Sequence, residues 1–121
     1  MISGRVLHHQ STILITIYGP SKQLDVETVV DTGFTGFLTL PLAQVTALGL
    51  ALVRYDSVVL GDGSTVAIPV HEAIVLWHGV RQTVFVLATG HEPVVGMSLI
   101  YGSRLTLDGE DGGAVTLEEL P

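Results

Sequence analysis

A mostly β fold is predicted for this chain by three observations. Apolar and β-branched residues recur in short alternating runs, turns bearing glycine or proline separate those runs, and helical spacing occurs in one place only. No linker, repeat or low-complexity stretch divides the 121 residues. Residues 1–121 are therefore expected to form one domain, long enough for a core and too short for two lobes.

The elements follow in order. In the first clear strand Ile13, Ile15 and Ile17 share one face, while Leu14, Thr16 and Tyr18 share the other, so both faces carry apolar surface. Gly19-Pro20-Ser21-Lys22 supplies a turn, after which Leu24, Val26, Thr28 and Val30 form a second face and put Asp31 on the side opposite Val30. Beyond Pro41 the residues Leu42, Val45, Leu48 and Leu50 recur at roughly helical spacing, and Gly49 stands where a helix stops. Val58-Val59-Leu60 and Ser64-Thr65-Val66 flank Gly61-Asp62-Gly63, a strong hairpin signal. Pro69 to Trp77 and Val80 to Ala88 read as paired strands joined at His78-Gly79, with Val84, Val86 and Ala88 on one face. Leu105 and Leu107, then Val115, Leu117 and the tail to Leu120, give two last strands around the turn that starts at Gly109. A terminal strand with an apolar face requires a partner.

The run from Val29 to Phe37, Val-Val-Asp-Thr-Gly-Phe-Thr-Gly-Phe, aims one carboxylate out of an apolar strand at a glycine turn. Glycines at 33 and 36 allow backbone angles and close approaches that a side chain would block. A buried, ionised Asp31 would need donors, and backbone N–H groups around Gly33 and a threonine hydroxyl are at hand. The plain alternative is that Asp31 caps a surface turn, since Asp, Thr and Gly are all common turn formers. A second segment, Pro93-Val94-Val95-Gly96-Met97-Ser98-Leu99-Ile100, runs two valines and a glycine into a short apolar stretch.

Together, Asp31-Thr32-Gly33, the Gly61-Asp62-Gly63 hairpin and Val94-Val95-Gly96 resemble the retroviral-type (retropepsin-like, clan AA) aspartic proteases, in that order along the chain. The resemblance spans roughly Thr28 to Ile100. It implies a small closed β-barrel with one or two short helices and a flap hairpin. It also implies an aspartic endopeptidase, with Asp31, Thr32 and Gly33 catalytic and Phe34, Gly61, Asp62, Gly63, Val95 and Gly96 against substrate. Those proteases follow the motif with an acid two residues after its glycine and pair it with an arginine just after the second glycine. Here Thr35 and Met97 hold those places. Losing both partners together leaves no orphaned charge and marks a distant, non-viral branch.

Aspartic proteolysis needs two carboxylates sharing one water and one proton, and the chain has one Asp-Thr-Gly. A two-fold homodimer supplies the second carboxylate without new sequence, so the expected active unit is the dimer. By resemblance, Thr32 bonds across the axis, Gly33 offers its backbone to substrate, and the Gly61-Asp62-Gly63 tip closes over an extended peptide. Asp62 at that tip would raise the dyad's pKa values unless solvent screens it. Phe34 and Phe37 either line a pocket or pack in the core, with core packing the commoner outcome.

Composition narrows the classes. Hydrophobic residues make up 47% and charged residues 14%, with mean hydropathy +0.55, which excludes a disordered chain and favours an oligomeric interface. Net charge −7, with Arg5, Lys22, Arg54, Arg81 and Arg104 the only cations, argues against nucleic acid. The absence of cysteine removes disulfides, thiolate chemistry and cysteine-ligated metals, and suits a reducing compartment. His8, His9 and Gln10 interrupt any signal-peptide run, no asparagine offers a glycosylation site, and no stretch approaches the ~18 apolar residues of a membrane span. A cytoplasmic protein is expected, with no membrane partner. His8-His9, His71, His78 and His91 form no helical i,i+4 pair, and in His71-Glu72 and His91-Glu92 adjacent side chains point apart. No metal or other cofactor is expected. Trp77 and Tyr101 are assigned to core or interface. The competing functional class is a catalytically silent dimeric β-barrel that acts as a binding or assembly module. A protease confined to a single target is a further alternative.

Overall fold

Ile13, Ile15 and Ile17 turn one face of β2 (Gln10–Tyr18) inward and are at most 3% exposed, whereas Leu14 on the other face is 58% exposed. The same alternation buries Val26, Thr28 and Val30 on β3 (Gln23–Val30), and the Thr28 hydroxyl is satisfied by donating to the Ile13 carbonyl at 3.1 Å. The computed structural model of residues 1–121 builds around these strands a sheet of ten, with β1 (Ile2–Leu7), β4 (Leu38–Leu40), β5 (Ala51–Val59), β6 (Thr65–Trp77), β7 (Val80–Ala88), β8 (Val94–Val95), β9 (Ser103–Leu107) and β10 (Ala114–Glu119).

The order β5-β6-β7-β4-β8-β3-β2-β1-β10-β9 closes on itself, because β6 also pairs with β2 through Ile17 opposite Val75 and Tyr18 opposite Ile74. Strands β6, β7, β4, β8, β3 and β2 thus form a ring. Strand β5 leaves that ring as the outer arm of a hairpin with β6, and β1, β10 and β9 extend it on the other side. Inside the ring Leu38, Leu40, Val75, Val86 and Val95 are fully buried. Each such side chain contributes about 1.5–3 kcal/mol by leaving water.

Two helices are present. In α1 (Leu42–Leu48), Val45 and Leu48 are buried and Gly49 ends the helix at φ +70, as the spacing predicts; Leu42, however, is 61% exposed. α2 is a single turn, Met97–Ile100, entered through Gly96. The expected strand pairs are present: His78-Gly79 turns β6 into β7, and β9 pairs β10 from Val115↔Leu107 to Glu119↔Ser103. The apolar face of β10 finds its partner within the chain, against β1, so Val115 and Leu117 are fully buried. Trp77 is core, whereas Tyr101 is 85% exposed.

Candidate active site

The site begins where β3 ends. Strand β8 lies between β3 and β4, parallel to the first (Val30 opposite Val95) and antiparallel to the second (Leu38 opposite Val95). The Asp31 N–H extends the parallel ladder by donating to the Val95 carbonyl at 2.9 Å. The chain then turns: the Phe34 N–H donates to the Asp31 carbonyl at 3.2 Å, and the Gly33 N–H donates to Asp31 Oδ1 at 2.8 Å. That second bond is the backbone donor expected from the glycine. No threonine hydroxyl reaches the carboxylate, because Thr32 and Thr35 both face solvent. Asp31, Thr32 and Gly33 are exposed in the single chain, so the acid is presented at the surface rather than enclosed.

The Phe34–Phe37 loop is clamped to the start of α2. Gly96 N–H donates to the Phe37 carbonyl at 3.0 Å, Met97 N–H to Phe34 at 2.7 Å and Ser98 N–H to Gly36 at 3.1 Å. The Ser98 hydroxyl adds a bond to the Thr35 carbonyl at 2.6 Å. Backbone groups and Ser98 therefore join the two segments at the positions where an acid and an arginine are replaced by Thr35 and Met97. A lone serine in an apolar run carries no sequence signal that marks Ser98 for this role. Gly96 is required by space: a Cβ there would lie 2.3 Å from the Gly36 carbonyl oxygen and 2.7 Å from that of Phe34. Both rings are half-buried and line one cavity, and Phe37 also packs on the core.

The predicted hairpin is present, with β5 and β6 paired from Val59↔Thr65 inward. Its tip is held by itself: Leu60 N–H donates to the Ser64 carbonyl at 2.8 Å, and Asp62 Oδ1 accepts from the Ser64 hydroxyl at 2.6 Å and its amide at 2.9 Å. The Ser64 hydroxyl, and then its amide, hold the Asp62 carboxyl below its ordinary pKa, so it stays charged in open solvent. Gly61 and Gly63 face empty space, and the tip's hydrogen bonds reach nothing in the Asp31 loop. Of the expected site residues, the chain thus gathers Asp31, Thr32, Gly33 and Phe34 against Val95 and Gly96. The tip residues Gly61, Asp62 and Gly63 stand apart.

The base of the hairpin does approach the loop. A cavity of about 300 Å³ is bounded by Phe34, Thr35, Gly36 and Ser98 on one side and by Arg54, Asp56, Val70 and Phe85 on the other. Larger cavities open elsewhere, one of about 510 Å³ between His9, Ser11 and the Gly109–Asp111 turn, but the 300 Å³ cavity carries residues of both the Asp31 loop and the hairpin arm.

A strand ring whose inner strand presents an aspartate-glycine turn to a clamped valine-glycine segment, with a projecting hairpin, is the retropepsin-like fold. The chain aligns over 80% of its length with 90% of EIAV protease, solved with the inhibitor HBY-793, at TM-score 0.55 and 16% identity. It aligns over 98% of its length with 94% of a retropepsin-like aspartic protease from Rickettsia conorii, at TM-score 0.54 and 15% identity. No family model and no curated protein sequence matches it. No helix is long and apolar enough to cross a membrane.

Proposed function

We propose that this protein is a homodimeric aspartic endopeptidase in which the two Asp31 carboxylates face each other across a two-fold axis. The observation that carries this reading is the exposed Asp31, held by the Gly33 N–H and by the ladder bond to Val95, in a chain that offers no second copy of the loop. An enclosed carboxylate could not have met a second one from another chain. A surface carboxylate on a rigid loop is suited to meet its own copy.

The chemistry follows from that pairing. Two carboxylates a few ångströms apart cannot both ionise, so the dyad holds one proton. The ionised Asp31 takes a proton from a shared water as its oxygen adds to the peptide carbonyl, and the protonated Asp31 gives its proton to the carbonyl oxygen. Collapse of the resulting gem-diol breaks the C–N bond, with a proton passing to the leaving amine. Thr32 would tie the two loops together and Gly33 would bond the substrate backbone. The Gly61-Asp62-Gly63 tips would close over an extended peptide and exclude water.

The test is hydrolysis of a diverse peptide library from about pH 4 to 7, the range in which a dyad sharing one proton works. The wild type should cleave, and its specific activity should fall on dilution as the dimer dissociates. No cleavage at concentrations where sedimentation shows the dimer would sink the proposal and favour a binding or assembly module.

A further inference from the structure

We infer that the cavity between the hairpin arm and the Phe34–Leu38 loop is a substrate subsite for an acidic side chain, gripped by the outer N–H groups of Arg54. This rests on the peptidase reading and names a feature of the substrate. Strand β5 carries a bulge at Val53: Leu52 pairs with His71, yet Arg54, not Val53, pairs with Val70. Bulges re-aim side chains beside functional sites. Here the extra residue puts Arg54 opposite fully buried Val70, and alternation then places Asp56 on the same face of β5. Both line the cavity.

The guanidinium is held from two directions. Its Nε donates to Asp56 Oδ1 at 2.8 Å, and its carbon stands 4.6 Å from the centre of the Phe85 ring. Those contacts use one edge and one face of the group. The two terminal nitrogens have no partner in the chain, and the side chain is 46% exposed, so they are within reach of a ligand. A planar guanidinium with its terminal N–H groups free matches a carboxylate in a bidentate pair. Arg54 is the only cation lining the cavity, whose walls are otherwise aromatic, aliphatic or neutral apart from Asp56. Asp31, Thr32 and Gly33 are not among the lining residues, so the subsite flanks the scissile bond.

The experiment compares peptides carrying Glu, Gln or Leu at each position flanking the cleaved bond. With wild type, one flanking position should favour Glu over Gln by about five- to ten-fold in kcat/KM, because the site is half open to water. Arg54→Met should bring that ratio close to one, and Arg54→Lys, which keeps the charge without the fork, should leave it intermediate. For wild type the ratio should also shrink in about 1 M salt, a readout that does not depend on any variant folding. A Glu:Gln ratio near one at every position, or one indifferent both to Arg54→Met and to salt, overturns the inference while leaving the peptidase intact. If no peptide is cleaved, calorimetric binding of the same peptides to Asp31→Asn protein decides. Salt-sensitive binding selective for Glu sustains the subsite although the peptidase reading has failed, and its absence overturns both.

Discussion

The Phe34 ring lies directly over Gly96: a Cβ added to Gly96 would sit 2.4 Å from Phe34 Cδ2. This closeness lets the Met97 N–H reach the Phe34 carbonyl at 2.7 Å, so the loop carrying Asp31 is seated on the first turn of α2 rather than hanging from β3. The rigidity of the acid's loop is thereby a property of a segment far away in sequence.

Gly96→Ala should therefore destabilise the fold by at least about 2 kcal/mol, since the added methyl also meets the backbone oxygens of Gly36 and Phe34, which cannot swing aside. Urea unfolding monitored by Trp77 fluorescence would show the loss. A midpoint equal to wild type would mean that the loop is not seated as described.

Asp31→Asn should lower kcat/KM by about 10³-fold or more, because an amide can neither take the water's proton nor supply one. Its carbonyl oxygen can still accept the Gly33 N–H, so thermal stability and the dimer should be retained. Mixing excess Asp31→Asn protein into wild type should suppress activity through mixed dimers, and activity proportional to the remaining wild type would contradict a shared site.

Asp62→Ala removes the acceptor for both the Ser64 hydroxyl and its amide. A looser tip should raise KM a few-fold, about five-fold at most. Because Ser64 holds the Asp62 pKa below its ordinary value, the stability from this charge is present above the unfolded value and is lost only as pH falls through the lower folded one. Acidification across the assay range should therefore leave the Asp62 interactions in place. Michaelis–Menten curves for both proteins at two pH values would check this.

His71 on β6 works in the opposite sense. Burial holds its pKa below the ordinary histidine value, and its Nδ1 is buried without a partner. Between the folded and unfolded values the unfolded chain binds more protons, so stability is full above the unfolded value and falls as pH drops toward the folded one. The wild-type urea midpoint should drop more steeply between about pH 7 and 5 than that of His71→Gln. Parallel slopes would show that His71 does not carry the effect.

The strands with clean alternation were legible from residues alone: Ile13, Ile15 and Ile17 and the Val26–Thr28–Val30 face behave as the period of two requires. So were the Gly49 helix stop and the Gly61-Asp62-Gly63 hairpin, whereas the pairing of the Asp31 turn with Val95 shows only in the fold. Strand β1 was not, because its tight turn into β2 is His8-His9, both at positive φ, where glycine or asparagine is the usual signal. Two-residue β8 and three-residue β4 are too short to show any period.

Local propensity and spacing thus determine the strand faces, the glycine turn after Asp31 and the shortage of carboxylates within one chain. Only the folded chain decides that Asp31 is exposed rather than enclosed, that Ser98 joins the backbone clamp on the Asp31 loop, and that Arg54 lies over Phe85. Each of these depends on parallel pairing, on ring closure through β2 and β6, or on one bulged residue. Those relationships join segments distant in sequence, and their energies come from packing and backbone hydrogen bonds that no local pattern of side chains records.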